Sequence, residues 1–422
     1  MNDRMTYNGH TGRFAPCGRI SRGARVFATL RMTAAVLAAL CLAGCGKNEV
    51  LSGGESDIPM QFSAYSAGKA GMPGQAGYNG AAATKADASF VGPGETSLPA
   101  NSTFGVFAYY QEGVIDSGTP AIWSASRTPD YMFAQQVSFD GAAYSYSPIR
   151  YWPANEENTI SFWAYYPYGA YSTDNTGALK FYSDAACTSA YTASSTGLPV
   201  AKYTVPENPA NQSDILFDSF TQQDKTYANC SPTEGTVPLS FRHVLCAVQF
   251  AVAMPSGAGS QGDLDEKVGG SYAHDYSFTF TDLTINGLPR EGICTDVSAA
   301  TVSWTTSGSF DASSTVYNPS TGRTDNFILL PTTLGDGITL DATMELKFRA
   351  EDDPDNRSAD LVYPFTVTGL KLNTIEDASN TAITVWETGK RYVYTLQLSL
   401  DRIEFSAEVS DWDSEFTVSI TE

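Results

Sequence analysis

Alternation of apolar and polar positions is the clearest signal in the C-terminal half of this chain. Ala342, Met344, Leu346 and Phe348 alternate with Thr343, Glu345, Lys347 and Arg349. Ile403, Phe405, Ala407 and Val409 alternate with Glu404, Ser406, Glu408 and Ser410, and residues 392–400 follow the same period. A period of two places each set on one face of a pleated strand, so the pattern predicts half-buried antiparallel strands. Asp401 and Arg402, between Leu400 and Ile403, read as a hairpin turn. Upstream, FGVFAYY (104–110), YMFAQQVSFD (131–140), AYSYSPIRYWP (143–153) and ISFWAYYP (160–167) are further strand candidates. In the last of these, Ile160, Phe162, Ala164 and Tyr166 share one face while Trp163 and Tyr165 occupy the other. Either both faces are covered or one carries exposed aromatics.

The beginning of the chain is organised differently. Residues 32–44, MTAAVLAALCLAG, form a short apolar run after a basic stretch and end in small residues before Cys45. The run is well short of the roughly 20 residues that span a bilayer, so it reads as a secretory signal. Leu42, Ala43, Gly44 and Cys45 resemble a bacterial lipobox, which implies acylation of Cys45 and a precursor anchored in the outer membrane. The leader is long, which places the expected start at Met5 or later. A polar tether follows, then a lone strand over 58–65 in which Ile58, Met60, Phe62 and Ala64 alternate with Pro59, Gln61 and Ser63. Residues 66–101 are dominated by Gly, Ala, Ser and Pro, a composition that buries too little apolar surface to hold a fold, so they read as a flexible linker.

Composition supports an all-β reading. The 422 residues include 23 Tyr, 22 Phe, 36 Gly and 21 Pro, a mix that favours short strands and turns over long helices. At roughly 100 to 200 residues per domain, the length predicts two sandwich domains, 104–235 and 236–422, behind the leader (1–44) and the tether, strand and linker (45–103). The formal charge is -21, and six of the 25 basic residues but only one of the 46 acidic ones precede Cys45, so the mature part is more acidic still. Such a surface repels a phosphate backbone, and nucleic acid is excluded as a partner.

Catalytic patterns are absent. His243 and His274 have no metal-ligand partner at strand or helix spacing, and His243 sits inside FRHVLCAVQF, where a hydrogen-bonded structural histidine is expected. No Gly-x-Ser-x-Gly turn or Cys/His arrangement occurs, so neither an enzyme nor a cofactor is expected. Cys187, Cys230, Cys246 and Cys294 face an oxidising compartment, which permits one or two disulfides, and for Cys246 a buried thiol and a bridge both remain open. The acidic run Glu351 to Asn356 lacks the spacing of a known calcium loop and reads as a solvated hairpin tip. Tyr151, Trp152, Trp163, Tyr165 and Tyr166 read as core packing, with a sugar-stacking platform as the alternative.

Several stretches together resemble the fimbrillin family of Bacteroidales, the Mfa-like or fimbrillin-like lipoproteins. They are the lipobox at Cys45, the strand and linker reaching Thr84, Lys85 and Ala86, the YSPIRYWP and ISFWAYYP pair, DILFDSF (214–220), PLSFRHVLCAVQFAV (238–252), LTINGLPREGI (283–293), FILLPTTL (327–334) and residues 386–413. The resemblance implies two transthyretin-like, Greek-key β-sandwich domains and a structural or adhesive subunit of a fimbria. It also implies processing by a trypsin-like protease at Lys85, or secondarily Lys69, that removes the lipid with the first strand. A strand from another fimbrial subunit then fills the vacancy, placing the mature protein in a fimbrium that could meet a host or bacterial surface receptor. A strictly arginine-specific protease would find no Arg between Cys45 and Arg127. In that case the protein stays lipidated.

The residues carry a strand-exchange pattern of their own. Phe416, Val418 and Ile420 alternate with polar residues in the terminal run 415–421, much as Ile58, Met60, Phe62 and Ala64 do. An added strand gains main-chain hydrogen bonds, while alternate side chains set its register. The run can serve as donor or complete its own sheet, and its brevity favours a tip or accessory subunit over the shaft. The alternative function is a non-polymerising surface lipoprotein that binds glycan.

Overall fold

The computed structural model describes residues 55–66, 98–112, 127–155, 158–218, 236–253, 275–299, 301–314, 317–318, 323–349, 361–398 and 403–412. All of them belong to one compact unit, residues 52–422. Among the described residues the regular elements are strands and a few single-turn 3-10 segments, an all-β fold. Among the described residues four sheets of four or more strands carry most of the architecture.

The first has seven strands, and the strand Thr159–Tyr166 lies near its middle. Ser102–Gln111 pairs antiparallel along one side, with Gly105 opposite Tyr165 and Gln111 opposite Thr159. On its other side Leu216–Asp218 pairs with it, followed by Thr236–His243. All eight side chains of Thr159–Tyr166 are buried, which settles the two readings of its aromatic pattern: both faces are covered. Trp163 and Tyr165 point into a core shared with a four-stranded sheet, where Trp163 meets Phe181 at 5.5 Å and Tyr165 meets Phe181 at 5.2 Å. Phe162 lies on the opposite face against Trp152. Sheet-on-sheet packing of this kind buries alternate residues of each inner face.

That four-stranded sheet draws on both halves of the chain. Leu179–Tyr182 and Val200–Thr204 pair with each other, and Val200–Thr204 also pairs with Glu291–Cys294, which pairs with Thr305–Ser307. Further bonds cross between the halves: Ile328 N donates to Gln212 Oε1 at 2.8 Å, and Val244 N donates to the Ile215 carbonyl at 3.1 Å. The expected boundary near residue 235 falls outside the described residues.

In the C-terminal half, Cys246–Ala253 pairs parallel to Lys390–Leu398, which pairs antiparallel to Ile403–Asp411 with Leu398 opposite Ile403. A two-residue turn at Asp401 and Arg402 would set Leu400 opposite Ile403, so the observed register is shifted by two residues from that expectation, and residues 399–402 lie outside the described ones. Ala342, Met344 and Leu346 are buried while Thr343, Glu345 and Lys347 are partly exposed, as the alternation there predicts. Val409, expected on the apolar face of its strand, is instead 38% exposed, and Ser410 beside it is the more buried. Residues 351–356 are outside the described residues.

AYSYSPIRYWP does not form one strand. It contributes Tyr144–Ser145 and Tyr151–Pro153, separated by an irregular stretch around Pro148, whose missing N–H cannot serve a ladder. Cys187, Cys246 and Cys294 carry free thiols, and Cys230 is outside the described residues. Burial pushes the Cys246 and Cys294 thiols up, so they pack as small neutral hydrophobes.

Close approach at Gly105 yields a direct test. A Cβ there would lie 2.2 Å from a ring carbon of Tyr165, which is itself held among Phe107, Phe181 and Tyr171. Gly105→Ala is expected to lower stability by about 1–3 kcal/mol, as overpacking of a filled core does. Gly169→Ala, where a Cβ meets nothing within 4 Å, should stay within about 0.5 kcal/mol of the parent. Urea unfolding of both variants checks the pair.

Candidate functional site

The segment that begins the described chain lies against the edge of the seven-stranded sheet. Gln61–Ser66 pairs in parallel with Thr236–His243, from Gln61 opposite Thr236 to Ser66 opposite Phe241, and forms the outermost strand on that side. The stretch read as one strand over 58–65 is two. Glu55–Pro59 pairs antiparallel with Tyr151–Pro153, and Gln61–Ser66 then takes its separate partner. The break has a local cause, since Pro59 offers no N–H to continue a ladder. Met60 N donates instead to the Arg150 carbonyl at 2.8 Å.

Met60, Phe62 and Ala64 are buried, at 1%, 4% and 8% exposure, with Gln61 exposed and Ser63 partly so. Ile58 is only partly buried. Phe62 inserts its ring edgewise between Tyr146, 5.3 Å away, and Phe162, 5.9 Å away. Around it the groove is aromatic. Trp152 packs on Phe162, Phe104 packs on Phe241, and Tyr144 stacks on Phe139 at 4.5 Å while meeting Phe104 edge-on. Fully burying a side chain such as Met or Phe contributes about 1.5–3 kcal/mol, so Met60 and Phe62 anchor the segment.

The main chain of the segment is held as well. Tyr144 donates its hydroxyl to the Ala64 carbonyl at 2.9 Å, and Tyr146 donates to the Met60 carbonyl at 3.1 Å. Arg150 N donates in turn to the Tyr146 hydroxyl at 3.2 Å. Burial raises both phenols above their ordinary range, which keeps them protonated as donors. The sequence named this segment but not the two tyrosines that grip it. The only local sign of them is their spacing of two in AYSYSP.

Cys45, Lys69, Lys85, Phe416, Val418 and Ile420 all lie outside the described residues. Among the aromatic residues weighed as a sugar platform, Trp152, Trp163, Tyr165 and Tyr166 are fully buried, and only Tyr151 is open to solvent, at 36%. A stacking platform needs free ring faces, and these four present none. His243 Nδ1 lies 3.0 Å from the carboxylate of the buried Asp214, and its ring stacks on Trp412 at 4.2 Å. That is a structural histidine with a defined partner. Among the described residues no cluster of three or more His, Cys, Asp or Glu could hold a metal ion.

Comparison with solved structures finds similarity to a fimbrial protein from Bacteroides vulgatus. The identity is 17%, the TM-score 0.46, and the match covers 73% of this chain and 92% of that one. A protein from Bacteroides ovatus assigned to cell adhesion matches at 15% identity and a TM-score of 0.43, over 86% of this chain and 99% of that one. No curated protein matches the chain. The sequence pattern of the fimbrillin-like family matches residues 84–412. That span is well over half of the sequence, so the chain belongs to the fimbrillin-like family and is a non-enzymatic fimbrial or adhesion subunit of the cell surface.

Proposed function

We propose that the protein is a fimbrial subunit, at a tip or accessory position, that assembles by strand exchange. The precursor is exported with lipid on Cys45 and anchored in the outer membrane. Cleavage after Lys85 by a trypsin-like protease, with Lys69 the second candidate, frees the lipid together with the strand bearing Ile58, Met60, Phe62 and Ala64. A strand from a neighbouring subunit then takes its place. Phe416, Val418 and Ile420 are the candidate donor positions that this chain offers in turn.

One observation carries the reading: Met60 and Phe62 are buried in an aromatic groove, yet the segment that bears them is an edge strand. An interior strand could leave only by opening the sheet between two ladders. An edge strand leaves by breaking one. Its departure uncovers Phe162 and a row of main-chain groups on Thr236–His243, and both demand a new occupant. Among the described residues the segment is held by the ladder to Thr236–His243, the pairing with Tyr151–Pro153 and the hydroxyls of Tyr144 and Tyr146.

The mature amino terminus tests this directly. Mass spectrometry of protein taken from the native cell surface should find chains beginning at Ala86, and Lys85→Ala should abolish that species and the fibres with it. Surface protein found solely as acylated Cys45 chains would favour a non-polymerising lipoprotein instead. A second expectation concerns the anchor. Phe62→Ala should lower the stability of the precursor by about 3 kcal/mol, the usual scale for a buried Phe→Ala change. Proteolysis within residues 58–66 should speed up before the rest of the fold is cut.

A further inference from the structure

The outer side of the Gln61–Ser66 strand is held by two side chains reaching over it. Every second residue of an edge strand turns its N–H and C=O away from its neighbour, where they would otherwise stay unpaired. Met60 and Ala64 share that parity, and their carbonyls are the two that the Tyr146 and Tyr144 hydroxyls take. Both tyrosines come from one short segment after the turn at Gly141, and its order runs opposite to that of the residues it grips. The Met60 carbonyl is the nearer acceptor for Tyr146, since the alternative on Arg150 lies at 3.4 Å. The same loop supplies the Arg150 carbonyl that receives Met60 N.

None of these bonds involves a side chain of the gripped strand. The contact that depends on side-chain identity is Phe62, seated between Tyr146 and Phe162. We propose that Tyr144 and Tyr146 form a main-chain clamp that holds whichever strand occupies this edge. The occupant is thereby selected for extended backbone parallel to Thr236–His243 and for apolar residues at the buried Met60, Phe62 and Ala64 positions, the largest at Phe62. At the intervening positions, exposed Gln61 and partly exposed Ser63, the side chain is free to vary. The ligand is an extended peptide segment; its identification with an incoming subunit's strand rests on the strand-exchange reading above. A clamp of two hydroxyls also leaves the edge open to release, because among the described residues no strand pairs with its outer side.

Hydrogen exchange read by mass spectrometry on the intact chain tests the clamp in Tyr144→Phe, Tyr146→Phe and the double variant. Phenylalanine keeps the ring contacts with Phe139, Phe104 and Phe62 and removes only the donors. Amides of residues 61–66 should exchange on the order of tenfold faster in the double variant and by an intermediate factor in each single one, while those of Lys390–Leu398 stay unchanged. Unchanged rates at 61–66, or an equal rise throughout Lys390–Leu398, would overturn the proposal. Fibre assembly is scored in parallel. Fibres from the parent chain that are depleted in the double variant support the clamp on an incoming strand. Absence of fibres even from the parent overturns that extension and the strand-exchange reading, while the exchange rates still decide whether the clamp holds the resident strand.

Discussion

A β-sheet edge beside an aromatic groove cannot be left bare in water. The outer side of Thr236–His243 carries a row of main-chain donors and acceptors, and near it lie Phe162 and Phe104 on one face of the seven-stranded sheet, with Trp152 of the Tyr151–Pro153 strand packed on Phe162. Leaving both open would expose an apolar surface next to an unpaired strand, the combination most prone to capture another chain. Here the gap is closed by residues 61–66, which supply a ladder to Thr236–His243 and the Phe62 ring to the groove. This element is the outermost strand of the seven-stranded sheet and comes from the segment that precedes its other strands in the chain.

The opposite face of the same sheet is packed separately from this element. Phe107, Trp163, Tyr165 and Phe217 belong to the larger core, packed on the four-stranded sheet and joined to residues of the C-terminal half. Met60, Phe62 and Ala64 are not part of that cluster. Their contribution is local to the second face, so the stability of the unit is distributed unevenly, with the first segment at the labile end.

Much of this was legible in the sequence wherever a short-range period decides the structure. The alternation at Ala342 to Lys347 follows from the pleat alone. So do Met60, Phe62 and Ala64 as one buried row. Features set by long-range partners had no local signature. The parallel pairing of residue 61 with residue 236, the Asp214 partner of His243 and the shared sheet of Val200–Thr204 with Glu291–Cys294 all depend on chain distant in sequence. Burial of both faces of Thr159–Tyr166 likewise needs knowledge of the second layer. The break at Met60 was readable in principle, because Pro59 removes a ladder donor, but the alternation continues across it and masks the break. Tyr144 and Tyr146 looked like ordinary strand aromatics, and their hydroxyls act on carbonyls about 80 residues away.

The central claim is that a second molecule comes to occupy the place beside Thr236–His243. Cryo-electron microscopy of fibres drawn from the native cell surface would read that place directly. The account predicts a strand from a neighbouring subunit lying beside Thr236–His243, with its main chain under Tyr144 and Tyr146 and an apolar side chain on Phe162. Finding residues 61–66 of the same chain still in that position within an assembled fibre would contradict it.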